Sequence, residues 1–249
     1  MKAVRFHEYG EPDVLRHEDV AQPAPGAGQV RVRVAATTFN GVDGNIRAGL
    51  MQGPMPLTLP HIPGLDVAGT IDALGEGVTD LGVGDRVVGF LPFVVDGAAA
   101  EYVLAPAESL APAPTSIPLA DAAALPLVDH TTTEVGTAVT EPVDVLLNLA
   151  PIDPAEFAAL ATLVRDGSVV VNTTVWMPAP ADEERGVRGI DLYVRSDAGQ
   201  LSELVSRVDR GELTGDVAER VPLADLSSVH ARAAAGTLQG KVIVVPSTT

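Results

Sequence analysis

The chain has 249 residues, 46% of them hydrophobic, with 24 Gly and 20 Pro, which suits one or two packed domains and excludes low-complexity or collagen-like chains. Its 33 Asp and Glu against 16 Lys and Arg give a net charge of −17, which repels nucleic acid and anionic lipid over the whole surface. With no cysteine, disulfides, thiolate zinc sites and cysteine nucleophiles drop out. No apolar run reaches the ~18 residues of a membrane span, and Met1 opens directly into a charged segment, so the expectation is a soluble cytoplasmic protein without a leader peptide.

From Met1 to about Pro106 the pattern predicts short strands punctuated by Gly, Pro and Asp. Gln29-Val30-Arg31-Val32-Arg33-Val34 alternates apolar and polar residues, as a half-buried strand requires. Asp66 to Ile71 and Asp85 to Phe90 read as further strands, with turns at Gly75-Glu76-Gly77 and Gly82-Val83-Gly84 between them. Such regular short strands predict a small β-barrel or sandwich.

After Pro142 the rhythm becomes strand–helix–strand. Val143-Asp144-Val145-Leu146-Leu147 is a nearly continuous apolar run, which predicts a strand buried on both faces. Asp153 reads as the cap of a helix, with Pro154 at its first position and Glu156 three residues after the cap. Phe157, Leu160, Ala161 and Val164 are expected to line its inner face, and Gly167 to end it. Ser168 to Asn172 and Ile190 to Val194 read as buried strands. A helix presenting Leu201, Leu204, Val205 and Val208 inward follows, with Gly211 after it, then a helix near Leu226–Ala235 and a last strand at Gly240 to Pro246. Alternating strands and helices of this kind predict an α/β fold with a parallel sheet.

Several short motifs recur in a familiar order: Met1-Lys2-Ala3-Val4, Asn40-Gly41-Val42-Asp43, Ile46-Arg47-Ala48-Gly49, Pro63-Gly64-Leu65-Asp66-Val67-Ala68-Gly69, Val83-Gly84-Asp85-Arg86-Val87, Ala99-Ala100-Glu101-Tyr102-Val103, Ala122-Ala123-Ala124-Leu125-Pro126 and Gly240-Lys241-Val242. Together they resemble the medium-chain dehydrogenase/reductase superfamily, specifically its zinc-free quinone oxidoreductase branch. The resemblance implies a mixed α/β architecture. A GroES-like β-barrel substrate domain would cover 1–122 and 218–249, and a Rossmann-like cofactor domain 123–217. It also implies NADPH-dependent hydride transfer to a quinone or an enone. Zinc-dependent relatives place cysteine where Asn40 stands and Gly-His-Glu where Gly64-Leu65-Asp66 stands. Leu65 cannot ligate a metal, and the five histidines show no paired spacing, so no zinc site is expected.

The resemblance breaks after Pro126. Leu127-Val128 runs directly into Asp129-His130-Thr131-Thr132, which resembles the end of the family's third Rossmann strand. Two βα units of ~30 residues each and a leading helix, roughly 70 residues in all, have no counterpart. They are the part that carries the phosphate-binding turn and the groups that read the adenosine ribose. The remaining Gly pairs, at Gly26/Gly28, Gly75/Gly77 and Gly82/Gly84, lack a third Gly at the required spacing and read as turns.

The resemblance makes Asn40 a candidate to contact the nicotinamide ribose or to donate to a substrate carbonyl, with a turn-forming role as the alternative. Asp43 and Arg47, four apart, read as an exposed helical ion pair, or else as the cleft edge from which Arg47 polarises a carbonyl. Asp66 reads as a loop anchor. Asn148, Leu149 and Ala150, with Thr173 and Thr174, follow two buried strands at their C-terminal ends, where ligands bind in open α/β sheets. They are the candidates for residual cofactor contact, together with Lys241, whose alternative is a solvated strand end. His130 beside Asp129 lies at the break. Loss of the cradle leaves three readings open. The chain is an impaired reductase, a non-catalytic remnant that binds small molecules or itself, or a sequence from which a segment is omitted. A homodimer through the freed sheet edge at Val145 and Leu147 is expected.

Overall fold

A computed structural model describes residues 1–53, 56–125, 141–149, 152–174 and 177–246. The chain divides into two compact units, Met1–Val128 with Ser196–Thr249, and Asp129–Arg195.

The larger unit is built around a long central strand. Strands β1 (Lys2–Phe6) and β2 (Leu15–Asp19) form an antiparallel ribbon. Strand β3 (Gln29–Thr38) pairs antiparallel with β4 (Asp66–Leu74), β6 (Tyr102–Pro106) and β12 (Lys241–Val245). Strands β5 (Arg86–Phe90) and β7 (Leu110–Pro112) extend the sheet beyond β4, and β11 (Val217–Pro222) lies parallel to β12. The alternation read in the sequence holds, since Val30, Val32 and Val34 are buried while Arg33 is exposed. Val30 and Val32 pack with Val67, Ile71, Val87, Leu91 and Val103 into one core. The glycine pairs are turns as expected, with Gly28, Gly77 and Gly84 at φ between 72° and 99°, where a side chain would be strained.

Helix α1 (Gly41–Arg47) follows β3, and helix α4 (Leu226–Ala234) precedes β12. Both contribute to a second core that includes Phe39, Ile46, Leu226, Val229 and Val242. Helix α3 (Ala198–Asp209) belongs to this unit as well, although the domain limits read from the sequence place it with the cofactor domain. Leu201, Val205 and Val208 pack against Ala36, Ala68, Val88 and Ile243 of the barrel. The Asp209 carboxylate accepts the N–H groups of Thr115 and Ser116, both at 2.8 Å. Leu204, expected inside, is 39% exposed, because three residues of one stripe already fill the contact.

In the smaller unit β8 (Val143–Asn148), β9 (Val164–Asn172) and β10 (Arg188–Asp191) form a parallel sheet in the order β10-β9-β8. Helix α2 (Pro154–Ala161) connects the first two strands. As expected, Asp153 caps it, its carboxylate accepting from the N–H of Ala155 at 2.9 Å and of Glu156 at 3.2 Å. The helix stops at Ala161 rather than near Gly167, because Val164 is drawn into β9 opposite Val143. Phe157, fully buried, anchors α2 on Val164, Val170 and Val187.

Two further expectations change here. Strand β8 is not buried on both faces: Val145 is 53% and Leu147 52% exposed. Neither residue belongs to the Phe157 core, and no other described strand pairs with that edge of β8. The strand expected over Ile190–Val194 pairs only as far as Asp191. β9 ends at Asn172, whose carbonyl takes the last ladder bond from Leu192 N–H at 2.8 Å, so Leu192, Tyr193 and Val194 lie exposed. Among the described residues no helix is long and apolar enough to cross a membrane.

Candidate functional site

The candidate residues fall into two groups, one in each unit. The first begins where β3 hands over to α1. Asn40 is extended (φ −119°, ψ 152°) and caps α1, and its N–H donates to Asp43 Oδ2 at 2.9 Å. The other Asp43 oxygen accepts from Gly64 N–H at 3.1 Å. Gly64 is required there: its φ is +102°, and a Cβ would lie 2.9 Å from the backbone nitrogen of Ala99. Asp43 and Arg47 are therefore not an exposed pair. Both are buried and face different partners, with Arg47 donating to the carbonyl of Gly10.

Because Asp43 satisfies the cap, the Asn40 amide is left to turn into the barrel. Its Nδ2 donates to Asp66 Oδ2 at 3.0 Å, and its Oδ1 accepts from Lys241 Nζ at 2.5 Å. Thr38 Oγ1 donates to the same Asp66 oxygen, and Lys241 Nζ lies 3.4 Å from it. The antiparallel register that pairs Ile243 with Thr38 brings Lys241 to this point. Asp66 is fully buried and Lys241 nearly so, which rules out a solvated strand-end lysine.

This node joins β3, α1, β4 and β12 through one buried ion pair. Burial raises the Asp66 carboxyl above its ordinary value, opposed by the Lys241 ammonium and by the Thr38 and Asn40 hydrogen bonds. The second Asn40 N–H has only a long contact, 3.5 Å, to Thr38 Oγ1, so donating to a carbonyl would cost this weak bond rather than the one to Asp66. Thr38 and Gly64 were not singled out in the sequence. Their signal, a hydroxyl at a strand end and a Gly after a Pro, is common to many turns.

Burial pushes Asp43 up from 3.8 to about 7, outweighing the two N–H groups that favour its charge. Asp43 thus binds its proton more tightly in the folded than in the unfolded chain. Its contribution is most favourable below its unfolded value, and stability falls as pH rises from 3.8 through about 7. Asp43→Asn cannot titrate, although it loses one acceptor. The advantage of the parent over this variant is expected to shrink by roughly 2–3 kcal/mol between about pH 5 and about pH 8. Urea unfolding at the two pH values measures it, and an unchanged difference refutes the assignment.

The second group lies at the C-terminal ends of β8 and β9. Asn148 Nδ2 donates to Asn172 Oδ1 at 2.9 Å, and Thr173 Oγ1 to the carbonyl of Asn148 at 3.2 Å. Thr174 Oγ1 donates to Asn172 Oδ1 at 2.8 Å. Asn172, passed over as a strand residue, is the fully buried hub of this cluster. Leu149 is exposed, while Ala150, Asp129 and His130 lie outside the described residues. Between β8 and α2 the chain reads Leu149-Ala150-Pro151-Ile152-Asp153, without glycine. Among the described residues no three His, Cys, Asp or Glu side chains come together as a metal-binding group.

A barrel closed by a C-terminal strand and a parallel sheet inserted before it define the class. Residues 26–115 match the alcohol dehydrogenase GroES-like domain, and residues 120–244 match the zinc-binding dehydrogenase family. The quinone oxidoreductase of Lama guanicoe is 46% identical over 106 residues, covering 42% of this chain and 31% of that protein. The solved quinone oxidoreductase of Coxiella burnetii superposes with a TM-score of 0.84 at 18% identity, covering 98% of this chain and 99% of that one. A mycobacterial protein complexed with NADPH superposes at 0.74 with 24% identity, covering 99% and 100%. The chain belongs to the zinc-binding dehydrogenase family of the medium-chain dehydrogenase/reductase superfamily, and the relatives it matches include quinone oxidoreductases. It spans less than half the length of the curated relatives it matches.

Proposed function

We propose that this chain is a quinone oxidoreductase-like protein whose reductase activity, NADPH to quinone or enone, is impaired by loss of the pyrophosphate cradle. The observation that carries the impairment is the N-terminus of α2. A dinucleotide pyrophosphate needs free N–H groups at a helix start reached through a Gly-rich turn. Here the Asp153 carboxylate already takes the N–H groups of Ala155 and Glu156, Pro154 has none, and Glu156 adds negative charge. These residues do not fit a pyrophosphate. The polar ends of β8 and β9, with Asn148, Thr173 and Thr174, support contact with the nicotinamide end alone.

Well-oriented reactants account for up to ~7–11 kcal/mol of barrier lowering, so a cofactor held at one end only leaves little turnover. The test is a fluorescence titration of mass-verified protein with NADPH and NADH, with quinone reduction followed alongside. The expected result is no saturation below millimolar cofactor and quinone reduction weak but above background. Saturable micromolar binding overturns the impairment, and reduction equal to background at millimolar NADPH overturns the reductase. The exposed Val145 and Leu147 on β8 favour a second reading, a non-catalytic protein that pairs with a second copy along this strand. Background reduction together with a dimer in sedimentation would select it.

A further inference from the structure

Helices α1 and α4 bring together two buried side chains that the node does not use. Arg47 donates from one terminal nitrogen to the carbonyl of Gly10, and its backbone carbonyl accepts from Gly10 N–H at 3.1 Å. Its Nε is buried without a partner among the described residues. His230 is 2% exposed and sets its ring edge-on to Phe39, 4.7 Å between centroids. Among the described residues neither His230 nitrogen has a hydrogen-bond partner. The guanidinium lies close enough to His230 to act on its charge, and Glu11 and Asp13 are the acids that act on Arg47.

Three orphaned nitrogens in one buried neighbourhood are costly, since each forfeits ~1–3 kcal/mol of hydration. Native structures satisfy such groups with protein or with internal water. We propose that ordered internal water occupies the α1–α4 interface, hydrogen-bonded to Arg47 Nε and to the His230 ring. The chemistry selects water over an anion. Burial and the nearby guanidinium hold His230 down to about 3, so its ring is neutral, with one donor and one acceptor nitrogen. Water accepts from Arg47 Nε–H and donates to the bare His230 nitrogen. A halide accepts from Arg47 Nε–H and from the protonated His230 nitrogen, but it has no proton for the bare one and leaves that nitrogen unsatisfied. Beside the β12–β3 ladder, polar side chains then fasten the C-terminal segment to the β3–α1 segment at a dry point, Lys241–Asn40, and a wet one, His230–Arg47.

The test is a crystal structure of the full chain grown with bromide as the only halide and measured at the bromine absorption edge. A peak without anomalous signal, about 2.7–3.2 Å from Arg47 Nε or a His230 nitrogen, is expected. An anomalous peak identifies an anion and overturns the proposal, as does empty density. In solution, thermal unfolding of His230→Leu, Arg47→Met and the double variant reads the coupling. Shared water predicts a double-variant loss in Tm smaller than the sum of the single losses, and additive losses overturn it. Should a variant fail to fold, the crystal of the parent chain still decides.

Discussion

Lys241→Met is expected to destabilise the protein by ~3–5 kcal/mol at neutral pH, the cost of leaving a buried charge without its partner. The methionine fills similar space, so the loss is electrostatic rather than a cavity effect. It strands Asp66, fully buried and already short of one hydrogen bond at Oδ1, and removes the donor to Asn40 Oδ1. Asp66 then takes up a proton to fold. Its folded value, already raised, rises further, so the deficit is smallest in acid and grows as pH rises. Adding Asp66→Asn to Lys241→Met removes the stranded charge and should recover part of the loss. Urea unfolding of the parent, the single and the double variant against pH measures this. A Lys241→Met loss under about 1 kcal/mol, the range of exposed pairs, would refute the buried node.

Phe157→Ala is expected to cost ~3–5 kcal/mol, the range for deleting a buried aromatic ring. Its side chain is the largest in a small core made with Val164, Val170 and Val187, and few other side chains hold α2 on the sheet. Opening should therefore be local first. Hydrogen exchange is predicted to lose protection in β8, β9 and β10 before the strands of the larger unit respond. Equal loss of protection in both units would show that they unfold together.

The strands of the barrel were legible because their signals are local. Alternation in Val30 to Val34, glycine at the turns and the Asp153-Pro154 helix start each depend on neighbours a few residues away. Asn40, Asp66 and Lys241 were individually visible as candidates through the family motifs. Their junction was not, because Lys241 reaches Asn40 across 201 residues of chain. The pairing of Asp43 with Arg47 was misread for a related reason. Four-residue spacing places both on one helix but does not reveal that Gly64 and Gly10 are nearer partners. Leu204 and the Leu192–Val194 segment were misread because an apolar residue carries no record of whether a neighbour exists to cover it.

By itself the sequence determined the family, the change from short strands to strand–helix–strand, the absence of cysteine and the lack of a Gly-x-Gly-x-x-Gly motif. Each is a matter of residue identity or short-range periodicity. The tertiary structure alone decided that α3 packs on the barrel and that Asn40, Asp66 and Lys241 form one buried node. It also decided that Arg47 Nε and both His230 nitrogens are buried with no hydrogen-bond partner among the described residues. Such outcomes depend on register and burial, which set the partner and the dielectric around each charge, and neither quantity is written in local sequence.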